Sequence, residues 1–149
     1  MIAGEATIDI RRPARECCEF VLDLERYRRA DTKIRAVHSI AWNGDHAEVQ
    51  YSGRFRGLNT PVVRQSVDVQ RYRRIEVRSI PGTLAHAASR FLGVFTFEEL
   101  GGGVTRVYHR EEIDVRPPLR WIVEPFLRDW LAHDTPEELV RMKRMLEEA

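Results

Sequence analysis

Residues 101–131 read GGGVTRVYHREEIDVRPPLRWIVEPFLRDWL, and the change of rhythm inside this stretch decides the fold. The three glycines form a turn. Residues 104–115 then follow a period of two. Thr105, Val107, His109, Glu111, Ile113 and Val115 share one face, while Arg106, Tyr108, Arg110, Glu112 and Asp114 share the other. Pro117-Pro118 opens a helical pattern in which Leu119, Ile122, Val123, Phe126, Leu127, Trp130 and Leu131 keep one face through three turns. The stretch therefore predicts a last strand followed by a long helix. Pro125 removes a backbone bond within that helix and predicts a kink or break. Thr135-Pro136-Glu137-Glu138 reads as a capping box that restarts a helix with Leu139, Met142 and Leu146 inward.

Working back from this stretch, a strand ending at Leu100 carries Phe91, Gly93, Phe95 and Phe97 on one face. A tight hairpin through the glycines sets Gly93 beside His109 or Glu111, and a glycine there leaves room for another group. Strand patterns also cover residues 34–42, 47–56, 61–72 and 74–80, punctuated by Asn43-Gly44-Asp45, Gly57-Leu58-Asn59 and Pro81-Gly82. Nearer the start, residues 6–10 alternate as a strand with one wet face. Pro13 opens a short helix whose stripe is Ala14, Cys17, Cys18, Val21 and Leu22. Asp23 caps a second helix through about Arg29, with Leu24 and Tyr27 inward. No domain linker interrupts the order, so residues 1–149 read as a single domain.

Composition narrows the function classes. The 149 residues carry 24 basic and 23 acidic side chains, a net charge of +1, which gives no electrostatic reason to expect a nucleic-acid partner. Hydrophobic residues at 43% and charged residues at 32% exclude a disordered chain. No apolar run approaches the roughly 18 residues that a spanning helix needs, and Met1-Ile2-Ala3-Gly4-Glu5 lacks the pattern of a signal peptide. Adjacent Cys17 and Cys18 are too close for an ordinary disulfide and predict small buried thiols in a reducing cytoplasm. Lys33 and Lys143 are the only lysines beside many arginines, a bias that reads as base composition.

The order β-α-α-β-β-β-β-β-β-α, with Ile8-Asp9-Ile10-Arg11-Arg12-Pro13-Ala14 leading into Val21-Leu22-Asp23-Leu24-Glu25-Arg26-Tyr27, resembles the polyketide cyclase/dehydrase and lipid-transport family. Gly102-Gly103-Val104-Thr105-Arg106-Val107 and the terminal helix extend that resemblance over essentially the whole chain. The family belongs to the START-like helix-grip superfamily. The resemblance implies an α+β fold: a curved antiparallel sheet of about seven strands gripping a long, kinked C-terminal helix, with an apolar cavity between them. Ala30-Asp31-Thr32 stands where members commonly place a Trp, a departure that removes the family's usual aromatic plug.

The last strand carries the chemistry. His109 and Glu111 interrupt an apolar face that should point at the helix, and unsatisfied burial costs about 2–7 kcal/mol per polar group. Two residues apart on one face, their bases lie ~7 Å from each other, close enough to hold one ligand or to form a general acid/base pair. Otherwise they sit solvated at a rim or satisfied by an internal hydrogen bond. Tyr51, Phe55, Phe91, Gly93, Phe95, Phe97, Phe126 and Trp130 are the expected apolar ligand-binding walls around them. Arg64 belongs to a wet strand face or reaches in to hold a carboxylate.

His38, His46, His86 and His133 are too scattered for a metal set, and no phosphate loop or nucleophile elbow occurs, so no metal or cofactor is expected. The partner implied is a hydrophobic small molecule, such as a lipid or aromatic polyketide, without integral membrane association; a homodimer stays open. Two alternatives stand beside binding: a polyketide cyclase or dehydratase using His109 and Glu111, and a protein-interaction module with a small dry core.

Overall fold

A computed structural model describes all 149 residues. Strand β1 spans Ile2–Ile10 and is followed by helices α1 (Ala14–Leu22) and α2 (Leu24–Tyr27). Strands β2 (Ile34–Asn43), β3 (His46–Phe55), β4 (Leu58–Gln70) and β5 (Arg74–Ser79) follow. Then come helix α3 (Leu84–Ala88), strands β6 (Ser89–Gly101) and β7 (Val104–Val115), and helix α4 (Arg120–Glu147). The strands form one curved antiparallel sheet in the order β1-β7-β6-β5-β4-β3-β2. This is the expected α+β, helix-grip architecture. No helix is long and apolar enough to cross a membrane.

Local chemistry accounts for the elements. The β2–β3 hairpin closes through Gly44, whose φ of 62° is the left-handed conformation that a tight turn demands. Asp23 accepts from the Arg26 N–H at 3.3 Å and starts α2, while Glu99 from the end of β6 accepts from the first N–H of α1 at 3.2 Å. Each inward residue of β7 is buried, and the main core joins α1, α2 and the sheet through Phe20, Tyr27, Val49, Ile75, Phe95, Val107, Leu139 and Met142.

Three expectations are corrected. Helix α4 is not segmented: it runs unbroken through Pro125 and Pro136. Each proline removes its own N–H and crowds the preceding turn, and the packing of Val123, Leu127 and Leu131 about Pro125 and of Leu131, Leu139 and Met142 about Pro136 holds the helix together. Thr135 is accordingly not a cap, and its hydroxyl lies 3.1 Å from the Leu131 carbonyl one turn earlier. The apolar face read from Leu119 is narrower than predicted, because Leu119, Ile122 and Phe126 are exposed and only Leu127 and Leu131 of that set are fully covered. Finally, α3 forms after Pro81-Gly82, capped by the Thr83 hydroxyl at 3.0 Å from the His86 N–H, where the sequence predicts only a turn.

One close approach sets the position of α4. A Cβ built on Gly4 would stand 2.4 Å from Thr135 Oγ1 and 2.7 Å from the Leu131 carbonyl. Any side chain at this point of β1 would lift the helix. Gly4 also pairs with Glu111 across β1 and β7, so the crossing lies directly beside a buried acid.

Candidate functional site

Beneath α1, α2 and the concave sheet lies a cavity of about 70 Å³. Fifteen of the twenty-two residues around it are hydrophobic, among them Leu24, Ile34, Val49, Val67, Ile75, Phe91 and Phe95. Ile40 and Trp42 on edge strand β2 also line it while remaining exposed, which marks where it nears the surface. A second cavity of about 160 Å³ adjoins it behind Tyr51, Phe55, Gln65 and Phe91, and its own wall includes Thr60, Arg64, Thr83, His86 and Ser89.

The other wall of the first cavity is a buried charge cluster. Lys33 Nζ lies 2.8 Å from Asp31 Oδ1, 3.0 Å from Glu111 Oε1, 3.1 Å from Asp134 Oδ2 and 2.7 Å from Glu138 Oε2. His109 Nε2 stands 3.4 Å from Glu111 Oε1 and 3.3 Å from Glu138 Oε1. Thr135 donates to Glu111 Oε2 at 2.8 Å, and the Tyr27 hydroxyl donates to Glu138. Arg141 neutralises the outer oxygen of Asp134 at 3.3 Å and donates to the Ala30 carbonyl at 2.7 Å. Burying charge is expensive unless it is paired, and here four acids share three cations, Lys33, His109 and Arg141.

Ionisation follows from this pairing. Burial alone pushes the His109 imidazolium down, but the Glu138 and Glu111 carboxylates outweigh it and raise the ring to about 10. Burial lowers Lys33 as well, yet its carboxylates hold the ammonium well above its ordinary range. Glu138 is pushed up by burial and held far below the usual carboxylate range by Lys33 and His109, and Glu111 is lowered for the same reasons. Asp31 is raised to about 7, first by burial and then by Glu138. At neutral pH His109 is therefore a cation and a hydrogen-bond donor. His109 Nδ1 is 3.0 Å from the Val94 carbonyl, which fixes a proton there, and the ring stacks on Phe95 with centroids 3.7 Å apart.

Three of these ligand-type groups, on His109, Glu111 and Glu138, come within 4.8 Å of one another, a spacing that suits a cation. Lys33 already holds both carboxylates, so the ammonium supplies the positive charge that a metal would bring.

Of the residues singled out by sequence, Tyr51, Phe55, Phe91, Gly93, Phe95, His109 and Glu111 line the first cavity. Gly93 faces Glu111 in register, and Phe95 faces His109. Phe97, Phe126 and Trp130 do not line it. Phe97 lies in the core, Phe126 is exposed under the Arg56 guanidinium, and Trp130 packs edge-on against Phe55. Arg64 stays on the wet side, 3.4 Å from Glu48, while bordering the second cavity.

Sequence reasoning missed Lys33, Asp31, Glu138 and Tyr27. The available signal was Lys33 itself, a lysine in an arginine-rich chain. A compact ammonium fits where four carboxylates converge, and a planar guanidinium fork does not.

Comparison with known proteins agrees with the fold. The family model described as polyketide cyclase / dehydrase and lipid transport matches residues 1–147. A START superfamily protein from Mycobacterium smegmatis is similar in structure, with a TM-score of 0.75 at 18% identity, covering 98% of this chain and 97% of its own. A Thermus thermophilus protein gives 0.75 at 16% identity over 99% of each chain. The Zhui aromatase/cyclase from a Streptomyces species gives 0.74 at 14% identity, over 97% of this chain and 94% of that one. No curated protein matches the sequence.

Proposed function

Starting from a chain that belongs to the polyketide cyclase/dehydrase and lipid-transport family, we propose that it binds a small, mainly apolar molecule in the cavity between the sheet and its helices. The observation that carries this reading is a hydrophobic cavity with one ionised wall. Small-molecule sites are built in this way, with an apolar container and a few convergent polar groups. The apolar body would lie against Phe55, Phe91 and Phe95, and the polar end would face His109 and Glu111.

Neither cavity alone reaches the roughly 300–1,000 Å³ of common ligand pockets. A larger ligand occupies both by displacing the Phe55 and Phe91 rings that separate them. The test is native mass spectrometry of protein purified from its host, together with thermal shifts against fatty acids and aromatic ketones. Retained ligand or a shift that disappears in Phe91→Trp, which fills the cavity, supports the reading. A wild-type protein that carries nothing and responds to nothing overturns it.

A second reading has its own support in the 3.4 Å approach of His109 to Glu111 at the cavity wall. In a cyclase or dehydratase the charged imidazole would act as general acid towards a carbonyl or hydroxyl oxygen. Under that reading His109→Gln loses turnover by orders of magnitude while ligand still binds. Under the binding reading, no turnover exists to lose.

A further inference from the structure

The buried charge cluster is one cation short, and a single oxygen carries the deficit. Asp31, Glu111, Asp134 and Glu138 share Lys33, His109 and Arg141. The other three acids have a donor on each oxygen. Lys33 Nζ and His109 Nε2 serve Glu111 Oε1 at 3.0 and 3.4 Å, and Thr135 serves Glu111 Oε2 at 2.8 Å. Tyr27 donates to Glu138 Oε1, and Lys33 to Glu138 Oε2 at 2.7 Å. Arg141 holds Asp134 Oδ1 at 3.3 Å, and Lys33 holds Asp134 Oδ2 at 3.1 Å.

Asp31 is the exception. Both of its donors, the Lys33 ammonium at 2.8 Å and the Lys33 backbone N–H at 3.0 Å, reach the same oxygen, Oδ1. Oδ2 has no donor, although the residue is only 8% exposed and lines the first cavity. A poorly solvated carboxylate oxygen with nothing to accept is costly. The chain offers no further charge to it. Lys33 and His109 are the only cations that line the cavity, both already shared among the acids, and most of the remaining wall is apolar.

The missing charge defines what fits. A divalent metal ion takes about six or more oxygen ligands, and here one oxygen is free. An anion would enter a wall that already has negative charge in excess. An ammonium makes a charge-assisted hydrogen bond to one carboxylate oxygen and carries an apolar body behind it. We infer that the cavity selects a protonated amine, an ammonium on a small apolar body, whose N–H donates to Asp31 Oδ2. This rests on the reading of the cavity as a binding site and adds the charge and class of its ligand. The polar end then lies beside Glu111, which Lys33 Nζ joins to Asp31.

A proton competes for the same oxygen, because burial and then Glu138 raise Asp31 to about 7. The groups around Asp31 are Lys33 on its own segment, Tyr27 of α2, Tyr51 of β3, His109 and Glu111 of β7, and Glu138 and the Arg141-paired Asp134 of α4. Between pH 5.5 and 7.5 Lys33, His109, Tyr27 and Tyr51 keep their protons and Glu111 and Glu138 stay ionised. An amine that stays charged across this range therefore reads Asp31.

The experiment uses three probes of one shape, benzylamine, benzyl alcohol and benzoate, in chemical-shift titrations of the ¹⁵N-labelled full chain. At pH 7.5 benzylamine binds at least about tenfold tighter than benzyl alcohol, and benzoate binds more weakly than either. At pH 5.5 a proton occupies Asp31, so benzylamine weakens roughly tenfold while benzyl alcohol is unchanged. Asp31→Asn keeps the shape and the Oδ1 acceptor but removes the surplus charge. In that variant amine and alcohol bind within about twofold of each other at both pH values. The pH dependence of the wild type stands independently should the variant fail to fold. Equal binding of amine and alcohol, preference for benzoate, a wild-type amine affinity that ignores pH, or an amine preference that survives in Asp31→Asn overturns the inference and leaves the cavity reading intact. Binding of none of the three overturns both.

Discussion

Replacing Lys33 by Met tests the organisation of the interior directly. The ammonium lies between 2.7 and 3.1 Å from four carboxylates and is almost wholly buried. Breaking a buried pair by removing one partner costs about 3–5 kcal/mol, because the remaining charge is left uncompensated. Here one removal strips Asp31 of its cation and leaves Glu111 and Glu138 with His109 alone, so the loss belongs at the upper end, about 4–5 kcal/mol at pH 7.5. A typical domain has only about 5–15 kcal/mol in total. Guanidinium melts of the wild type, Lys33→Met, Glu138→Gln and the double variant measure it, and the double variant recovers at least ~1 kcal/mol relative to the sum of the singles. Acid provides an independent sign. Lys33 holds Glu111 and Glu138 low, and without it burial raises their folded values above the unfolded ~4.3. Protonation then favours the folded variant, and its deficit shrinks between pH 7.5 and 5.5. A loss below ~1 kcal/mol, or a deficit that grows on acidification, refutes the electrostatic account.

The wild type loses stability with rising pH through His109. Its folded value of about 10 exceeds the unfolded ~6.5, so the contribution is complete below ~6.5 and is lost as pH climbs towards 10. Melting temperatures across pH 6–10 fall in the wild type and flatten in His109→Gln; parallel curves would disprove this assignment. Gly4→Ala pushes Thr135 and α4 outward and costs roughly 1–3 kcal/mol by chemical denaturation, whereas a cost near zero would mean that the crossing yields freely. Cys17 and Cys18, buried and pushed up to about 11 chiefly by desolvation, stay inert to a thiol reagent at pH 8 until the protein unfolds. Trp121→Ala, at a residue 72% exposed, leaves stability within ~0.5 kcal/mol in the same melts.

The strands were legible because alternation is a local signal. His109 and Glu111 fall on the apolar face of β7 by counting alone, and the glycine turn puts Gly93 opposite Glu111. The wall opposite them was not legible. Asp134 and Glu138 are four apart on α4 and turn inward with Thr135, but in sequence they look like a helix restart. Lys33 precedes β2 among polar residues, and nothing near it in sequence names its partners at 111, 134 and 138. Local patterns fix which face of an element is apolar. They carry no record of charges that meet only after the chain has closed. The same limit explains Phe126 and Trp130, whose helical spacing suggested a shared inner stripe although Phe126 is exposed and Trp130 packs on Phe55 beside the small core of Leu127 and Leu131.

The crossing at Gly4 and the grip on Asp134 and Glu138 together limit how the proposed guest molecule would get in. Swinging α4 away would pull two acids off Lys33 and Thr135 off Glu111, an uphill motion of several kcal/mol. The terminal helix is therefore a latched wall and cannot act as the door. Under the binding proposal, traffic would be left to the free margin of the sheet, where β2 has no neighbour on its outer side and Ile40 and Trp42 meet water on the threshold.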